Sequence, residues 1–383
     1  MNSGIVFVSD VFLEDGLLGG AEYCNDNLIN HLSTTFSINK IHCAKINLNF
    51  LQSHVENKFI ITNFMTLSQE AKSFMAENLD YCIIEYDHKY TSTNNPSLFK
   101  DFLVPEDFII NKRFFQSAKV VFCQSKMHTD ILQKNLLLKN LCNLGGNIWT
   151  DEQLDILEKN IHNEKDIEYG IIQTNNKNKG MSHAIDYCNQ NSLKYELLPL
   201  QNFNSFAENL SRVKTLVFFP QWMDSYNRLV IEARMLNCKL LTNSLIGAAS
   251  EDYFHLKGKE LLSFIRGNNS NIYDKIKSFL HDKTPPVFAP IDIPKVSIIG
   301  TFYKSQKFME GFLKNITEQT VFEHCELILI NANSPENEEE IVLKYVEKYS
   351  NIVYKKLDYR ASTSECFNMG VKISTGEYLT FGL

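Results

Sequence analysis

The sequence predicts an α/β chain of parallel sheets, divided into three units. Short apolar runs of strand length alternate with amphipathic, helix-length stretches along most of its 383 residues. Near-continuous apolar runs mark strands covered on both faces, and such strands need crossover helices and parallel pairing. A segment holding four of the nine prolines, 283–294, separates the last of these units from the rest. A composition of 44% hydrophobic and 22% charged residues belongs to a packed globular chain and excludes a disordered, collagen-like or coiled-coil one.

The strand-like runs come in order. Ile5-Val6-Phe7-Val8 opens the chain, followed by Phe59-Ile60-Ile61, Tyr81-Cys82-Ile83-Ile84 and Val120-Val121-Phe122-Cys123. A soft break lies at 143–165, where Gly145-Gly146 precedes a polar, acidic stretch. Beyond it come Tyr169-Gly170-Ile171-Ile172, Thr215 to Phe219 and Lys239-Leu240-Leu241-Thr242. The proline segment is stiff and extended by composition and reads as a linker. After it Val296-Ser297-Ile298-Ile299 begins a new series, with a helix carrying Phe308, Phe312 and Ile316 at a spacing of four, then Glu326–Ile330, a helix near 338–349 and Ile352 to Lys356. The boundaries are therefore 1–150, 165–282, the linker 283–294 and 295–383. The last unit ends on an apolar strand-like run without a closing helix, which reads as a truncated reading frame or a trimmed chain.

A net charge of -7 gives no broad footprint for nucleic acid. Nine scattered cysteines, none spaced C-x-x-C, make neither a zinc site nor a disulfide framework. The first residues lack the basic flank of a signal peptide, and no apolar stretch reaches the ~18 residues of a membrane span. A reducing cytoplasm is the expected compartment.

Three motifs follow strands. After the first comes Gly16, then Gly19-Gly20-Ala21-Glu22 opening a helix over 23–32. Glycines at such a turn admit a ligand to the backbone, and the helix N-terminus favours anions. They also cap loops that bind nothing. After 169–172 the loop 173–180 carries Lys179, which is placed either to pair with a diphosphate or to stand solvated in a polar loop. After 215–219 comes Pro220-Gln-Trp-Met-Asp224-Ser-Tyr-Asn-Arg228-Leu229-Val230-Ile231-Glu232. Glu232, one turn into a helix starting near Asn227, can accept two hydrogen bonds from a sugar diol, each about 1.5–3 kcal/mol when charge-assisted. The N–H groups of Arg228, Leu229 and Val230 can meet phosphate oxygens. The bland alternative makes Asp224 a loop cap and Glu232 a surface residue.

Together these motifs resemble the GT-B glycosyltransferases, most closely glycosyltransferase family 4, over about 1–282. The family has a Gly-Gly-Ala-Glu loop, a basic loop after the first strand of the second domain, and a Glu-x7-Glu motif entering a helix. Here that motif is Asp224-x7-Glu232. The resemblance implies two Rossmann-like domains, with the donor in the second. It gives Asp224, Glu232 and His88 to catalysis. Gly19, Gly20, Lys179, Arg228, Leu229, Val230 and Glu232 would bind the donor, with Glu232 on the ribose, Lys179 on the diphosphate and Asp224 on donor-sugar hydroxyls. His88, in Glu85-Tyr-Asp87-His88-Lys89-Tyr90, would bond a sugar hydroxyl or donate to the departing phosphate. A purely structural histidine fits that loop equally well. The family usually has Arg in the Lys179 loop, where this chain has Thr174; Arg228 is the substitute. No metal or other cofactor is implied in this module, and the anomeric configuration would be retained.

The last unit, with Gly300-Thr301-Phe302-Tyr303, Asn331-Ala332-Asn333-Ser334, Asn368-Met369-Gly370 and Gly376-Glu377-Tyr378, resembles the nucleotide-binding half of glycosyltransferase family 2, which has the GT-A fold. That implies a partial GT-A domain with Thr301, Asn331 and Asn333 at the nucleotide. The family's acidic turn reads as amides here, and its metal-binding Asp-x-Asp would come only after Phe381. A divalent metal, Mg or Mn, is thus expected only with a further GT-A remainder.

The expected function is transfer of a sugar from a nucleotide-sugar donor to a glycan, lipid-linked or protein acceptor, as in polysaccharide biosynthesis. Any peripheral membrane contact would come through the acceptor, and no nucleic acid is expected. The alternative is a catalytically degenerate nucleotide-sugar- or carbohydrate-binding protein. A phosphorylase, an epimerase of nucleotide sugars and a dinucleotide oxidoreductase fit less well, the last because G-x-G-x-x-G is missing after the first strand.

Overall fold

A computed structural model describes residues 4–16, 19–281, 295–319 and 321–382. The linker expected at 283–294 lies outside the described residues. The chain divides into two compact units, Met1–Ala289 and Pro290–Leu383.

The first unit holds two parallel sheets. One is made of β1 (Ile5–Ser9), β2 (Ile38–His42), β3 (Lys58–Ile61), β4 (Asp80–Ile84), β5 (Val120–Cys123) and β6 (Leu141–Asn143), in spatial order β2-β1-β3-β4-β5-β6. The other comprises β7 (Ile167–Gln173), β8 (Tyr195–Pro199), β9 (Val213–Phe218) and β10 (Lys239–Thr242), in order β10-β9-β7-β8. Both are Rossmann-like. In each, chain order reverses beside the first strand, between β1 and β3 and between β7 and β9, and ligands of open α/β sheets sit at the carboxyl ends of such switch points.

Alternate residues of the first sheet feed two cores. Val6, Val8, Phe59 and Ile61 pack on one face, and Ile5, Phe7 and Ile60 on the other. The two lobes form one body because the helix Gly258–Leu280 serves both. Its Leu261, Leu262 and Ile265 enter the core of the second sheet, while Ile272, Ile276 and Phe279 enter that of the first. Burying six aliphatic or aromatic side chains this way contributes on the order of 1.5–3 kcal/mol each. Polar bonds cross the same boundary, from Ser125 Oγ to the Ser225 carbonyl (2.7 Å) and from Tyr253 OH to the Gly145 carbonyl (3.0 Å).

The second unit is a parallel sheet of β11 (Val296–Phe302), β12 (Cys325–Asn331), β13 (Ile352–Lys356) and β14 (Tyr378–Gly382), in order β13-β12-β11-β14. Leu327 and Leu329 face one core, Ile328 and Ile330 the other, as strands covered on both sides require. The helix Gln306–Thr317 corrects one expectation. Met309 and Leu313 are its buried residues and Phe312 and Ile316 pack partly buried against the same core, whereas Phe308 is exposed and drops out of the expected Phe308-Phe312-Ile316 stripe. Inside β12, Glu326 is buried in a cage. It accepts from Ser297 Oγ (2.5 Å), from the N–H and hydroxyl of Thr375 and from the Gly376 N–H (3.2 Å), and pairs with Lys295 (3.3 Å). Burial pushes this carboxyl up, yet its donors win and hold it at about 2.

All nine cysteines are free and buried. Among the described residues no helix is long and apolar enough to cross a membrane.

Candidate functional site

The loops after β7 and β9 build the site in the second lobe. β7 runs into a turn, Lys177–Lys179, closed by Gly180 at φ +68. A Cβ at Gly180 would stand 1.7 Å from the Phe219 carbonyl oxygen, so only glycine lets this turn lie against the end of β9. Gln221 N–H donates to the Asn178 carbonyl at 2.8 Å and fixes the two loops together. This docking brings Lys179 Nζ to 3.0 Å from Asp224 Oδ2. The carboxylate holds the Lys179 ammonium above its ordinary range, so it stays charged.

Asp224 is further set by Asn227, whose Nδ2 donates to its Oδ2 at 2.7 Å, and by the Tyr226 N–H at 3.3 Å from its Oδ1. Asn227 sits at φ +74, a conformation an L residue adopts at a cost on the order of 1–3 kcal/mol and one that clusters at functional sites. Its Oδ1 caps the helix Arg228–Met235 by accepting the Val230 N–H at 2.9 Å. The expected triplet of phosphate-facing N–H groups is corrected accordingly. Val230 is taken by the cap, leaving Arg228 and Leu229, whose first-turn N–H groups have no partner within the helix.

Glu232 and Arg228 are not open groups. Both are less than a tenth exposed. Glu232 Oε1 accepts the Trp149 indole N–H at 2.9 Å and lies 3.5 Å from Arg228 Nε. The Arg228 guanidinium stacks on the Trp149 ring, 4.4 Å from its centre, and donates to the Ile148 carbonyl (2.5 Å), to Cys24 Sγ (3.4 Å) and to Gln153 Oε1 (3.3 Å). Its Cδ lies 3.3 Å from where a Cβ on Gly20 would stand. Gly20 thus serves the close approach of Arg228 to the helix Gly20–Ser33, and Gly19 caps that helix. The Arg228 guanidinium ties the two lobes together, so of the expected diphosphate contacts its backbone N–H remains open while its side chain has internal partners.

From the first lobe, the loop after β4 contributes a charged cluster. Lys89 Nζ bridges Glu85 Oε1 (3.2 Å) and Asp87 Oδ2 (3.0 Å). Burial pushes Lys89 down, but the two carboxylates outweigh it and keep it charged above its ordinary range. Lys89 in turn holds Asp87, which is open to solvent, below the usual carboxylate range, with Lys179 adding to the effect. Burial raises Glu85 and, beside the glycine loop, Glu22. His88 departs from its expected place at the mouth of the sheet. It is fully buried, its ring edge-on to His128 (4.9 Å) and Tyr90 (5.8 Å), and neither ring nitrogen has a partner. Burial, then the neighbouring His128 and Lys89, push it well below its ordinary range, so it is neutral. His128 donates from Nε2 to the Asp87 carbonyl at 2.8 Å, and burial pushes it down to about 4.

The sequence reading passed over Lys89, Trp149 and Asn95. Lys89 stood inside the quoted loop without a role, and Trp149 has no local signal pointing to Glu232, 83 positions away.

In the second unit Asn331 is fully buried, with Nδ2 on Tyr354 OH (3.0 Å) and Oδ1 on the Ser334 N–H (2.8 Å). It shapes the turn, and both ends of its amide have a partner inside the unit, where the expectation had placed it at the nucleotide. Asn333, at φ +60, reaches the Asp358 carbonyl at 3.3 Å, and Thr301 is half-buried on β11. The Arg360 guanidinium stacks on Tyr303, 3.4 Å from the ring centre, at the same strand ends. Among the described residues no three His, Cys, Asp or Glu side chains could together hold a metal ion.

Residues 297–381 match the family described as "Glycosyl transferase family 2". The second unit carries a glycosyl transferase family 2 domain segment. Over 87 residues the chain is 36% identical to the minor teichoic acid biosynthesis protein GgaB of Bacillus subtilis (strain 168), a match covering 22% of this chain and 10% of GgaB. The chain thus spans about a tenth of that relative's length. Among solved structures, the mannosyltransferase PcManGT from Pyrobaculum calidifontis, in complex with GDP-Man and Mn2+, is similar at 21% identity over 28% of this chain and 33% of its own, with a TM-score of 0.22. HepE of Anabaena, in complex with UDP and glucose, is similar at 13% identity over 73% of this chain and 92% of its own, with a TM-score of 0.41.

Proposed function

We propose that the chain takes part in nucleotide-sugar-dependent glycosyl transfer. The observation that carries this reading is the family 2 segment at 297–381, set behind a unit whose switch-point loops already bring a charged lysine and an aspartate together. In the first unit the donor sits at the carboxyl ends of β7 and β9. Lys179 exchanges Asp224 for the diphosphate, the N–H groups of Arg228 and Leu229 meet its oxygens, and Asp224, freed, takes a hydroxyl of the donor sugar. Glu232 holds the ribose. A cationic group and a helix N-terminus stabilise a departing diphosphate without proton transfer. Configuration is retained, the acceptor is a glycan, a lipid-linked sugar or a protein side chain, and the nine free thiols suit a reducing cytoplasm. In the second unit Thr301 and Asn333 border the nucleotide. Among the described residues no three His, Cys, Asp or Glu side chains gather there, so a divalent metal, Mg or Mn, would take its ligands from a further GT-A remainder.

A specific observation favours a second reading, a binder that has lost turnover. Glu232, Lys179, Arg228 and the Val230 N–H all have internal partners.

A thermal-shift panel of UDP-, GDP-, ADP- and CMP-sugars tests both. One nucleotide should raise the melting temperature, because binding acts on the folded form alone. Glu232→Ala should weaken that binding by about 1.5–3 kcal/mol, the worth of a charge-assisted hydrogen bond. Equal affinity in the variant would remove Glu232 from the site. Binding without release of nucleoside diphosphate, with every acceptor class supplied, would favour the binder.

A further inference from the structure

The loops that follow β11, β12 and β13 meet at the carboxyl ends of the second unit's sheet, where chain order reverses beside β11. Open α/β sheets place ligands at such an edge. The loop after β11 carries Tyr303 and Lys304, and the loop after β13 carries Arg360. The Arg360 guanidinium lies over the Tyr303 ring, 3.4 Å from its centre, and Lys304 Nζ lies over the same ring at 5.8 Å. Two cations are thus gathered on one aromatic side chain.

Neither is neutralised. Among the described residues Lys304 and Arg360 have no ion pair, and both are exposed, whereas Lys295, Lys314, Lys344 and Lys356 of the same unit each pair with a glutamate. The glutamates of the facing loop are turned to backbone instead. Glu336 Oε2 accepts the Gln306 N–H at 3.2 Å, and Glu338 Oε1 the Ser305 N–H at 2.6 Å. Arg360 spends one N–H on the Ala361 carbonyl at 2.9 Å, which leaves the rest of its fork open.

The backbone beneath these cations is fixed. The Lys304 N–H donates to Ser334 Oγ at 3.0 Å and Asn333 Nδ2 to the Asp358 carbonyl at 3.3 Å, which joins the three loops. Lys304 stands at φ +55, a strained conformation for a long side chain and one that clusters at ligand sites. Like charges held together without a counter-ion cost free energy, which a bound anion returns. The planar fork of arginine meets phosphate oxygens two at a time, and stacking on Tyr303 pre-organises it.

We propose that Tyr303, Lys304 and Arg360 form a phosphate-binding site in the second unit. Arg360 takes two phosphate oxygens, and Lys304 acts on the same group as a point charge. The phosphate belongs either to the diphosphate of a nucleotide or to a phosphate ester of the acceptor. This site goes beyond the glycosyl-transfer reading and does not depend on the donor site at Lys179.

The test uses the full chain with Lys179→Gln, which removes the first unit's diphosphate cation, alone and combined with Arg360→Ala, Arg360→Lys or Lys304→Gln. Folding is checked by circular dichroism, and EDTA is present throughout. Inorganic pyrophosphate, UDP, GDP, ADP, CDP and glycerol 3-phosphate are titrated by calorimetry. Pyrophosphate should bind the Lys179→Gln chain. Arg360→Ala should weaken it about tenfold, Lys304→Gln about threefold, and Arg360→Lys by less than Arg360→Ala. The same losses with a nucleoside diphosphate that binds more tightly than glycerol 3-phosphate make the nucleotide the source. The same losses with glycerol 3-phosphate as the tighter ligand make it the acceptor. Pyrophosphate binding that is absent, or is unchanged by both Arg360→Ala and Lys304→Gln, overturns the site. The glycosyl-transfer reading is judged separately, by nucleotide-sugar binding to the wild type, and stands or falls without this site.

Discussion

Trp149→Phe isolates the bond on which the buried Glu232 depends. Phenylalanine keeps a ring beneath the Arg228 guanidinium but removes the indole N–H that reaches Glu232 Oε1 at 2.9 Å. A hydrogen bond to a charged, almost wholly buried carboxylate is worth about 1.5–3 kcal/mol. The weaker quadrupole of phenylalanine gives up a further fraction of a cation–π contact of about 1–2 kcal/mol. The expected loss is therefore about 2–4 kcal/mol. It should appear as a lower midpoint in urea at an unchanged slope, followed by far-UV circular dichroism because the substitution removes one of the two tryptophans. A double-mutant cycle with Glu232→Gln should return a coupling of roughly 1 kcal/mol or more, since the side chains touch. A loss under about 0.5 kcal/mol, or a coupling near zero, would refute the account and show Glu232 sustained by Arg228 alone.

Two further predictions concern geometry and charge. Gly180→Ala should cost more than about 3 kcal/mol or abolish folding, because its Cβ would meet the Phe219 carbonyl at 1.7 Å. Gly267→Ala, in the helix Gly258–Leu280 where a Cβ meets nothing within 4 Å, should instead stabilise by about 0.5–1 kcal/mol, and urea midpoints of the two variants should move in opposite directions. Glu326 has a folded pKa of about 2 against an ordinary 4.5, so its contribution is full above pH 4.5 and lost as pH falls towards 2. Glu326→Gln should flatten that acid limb, read by hydrogen exchange along β11 and β12. A limb unchanged by the substitution would show that other carboxylates carry it.

Which strands the sequence revealed follows from where they sit. The interior strands are buried on both faces and announce themselves as unbroken apolar runs, as Val120-Val121-Phe122-Cys123 does. The three strands that escaped notice, β2, β6 and β8, are all sheet edges. Ile38-Asn39-Lys40-Ile41-His42 needs no continuous apolar run, because much of its surface meets water. The helix Gln306–Thr317 shows a related limit. Two stripes at a spacing of four, Phe308-Phe312-Ile316 and Met309-Leu313, share one helix face, and only the packed sheet decides that Phe308 stays outside while Phe312 and Ile316 pack beside Met309 and Leu313.

At the candidate site the local structure was legible in the sequence and the side-chain pairings were not, and the difference is one of sequence distance. That Asp224 ends a loop and that a helix begins at Arg228 are local facts, written in the strand, the turn and the first helical turn. The occupation of Glu232 by Trp149 is non-local, as is the reach of Arg228 from its helix to Cys24, 204 positions away. These partners decide what the charged groups can do. An arginine at a helix start reads as an anion ligand until its guanidinium is found stacked, bonded to the Ile148 carbonyl and closing two lobes on each other. Lys179 differs from it physically. Its partner Asp224 is a loop carboxylate with neighbours of its own in Asn227 and Tyr226, so the pair can part without leaving a buried charge alone. Separating Arg228 from Glu232 and Trp149 would strand a carboxylate that is less than a tenth exposed, a penalty of about 3–5 kcal/mol. Of these two cations, Lys179 is therefore the one whose ion pair can open at little cost, and Arg228 the one that holds the lobes together.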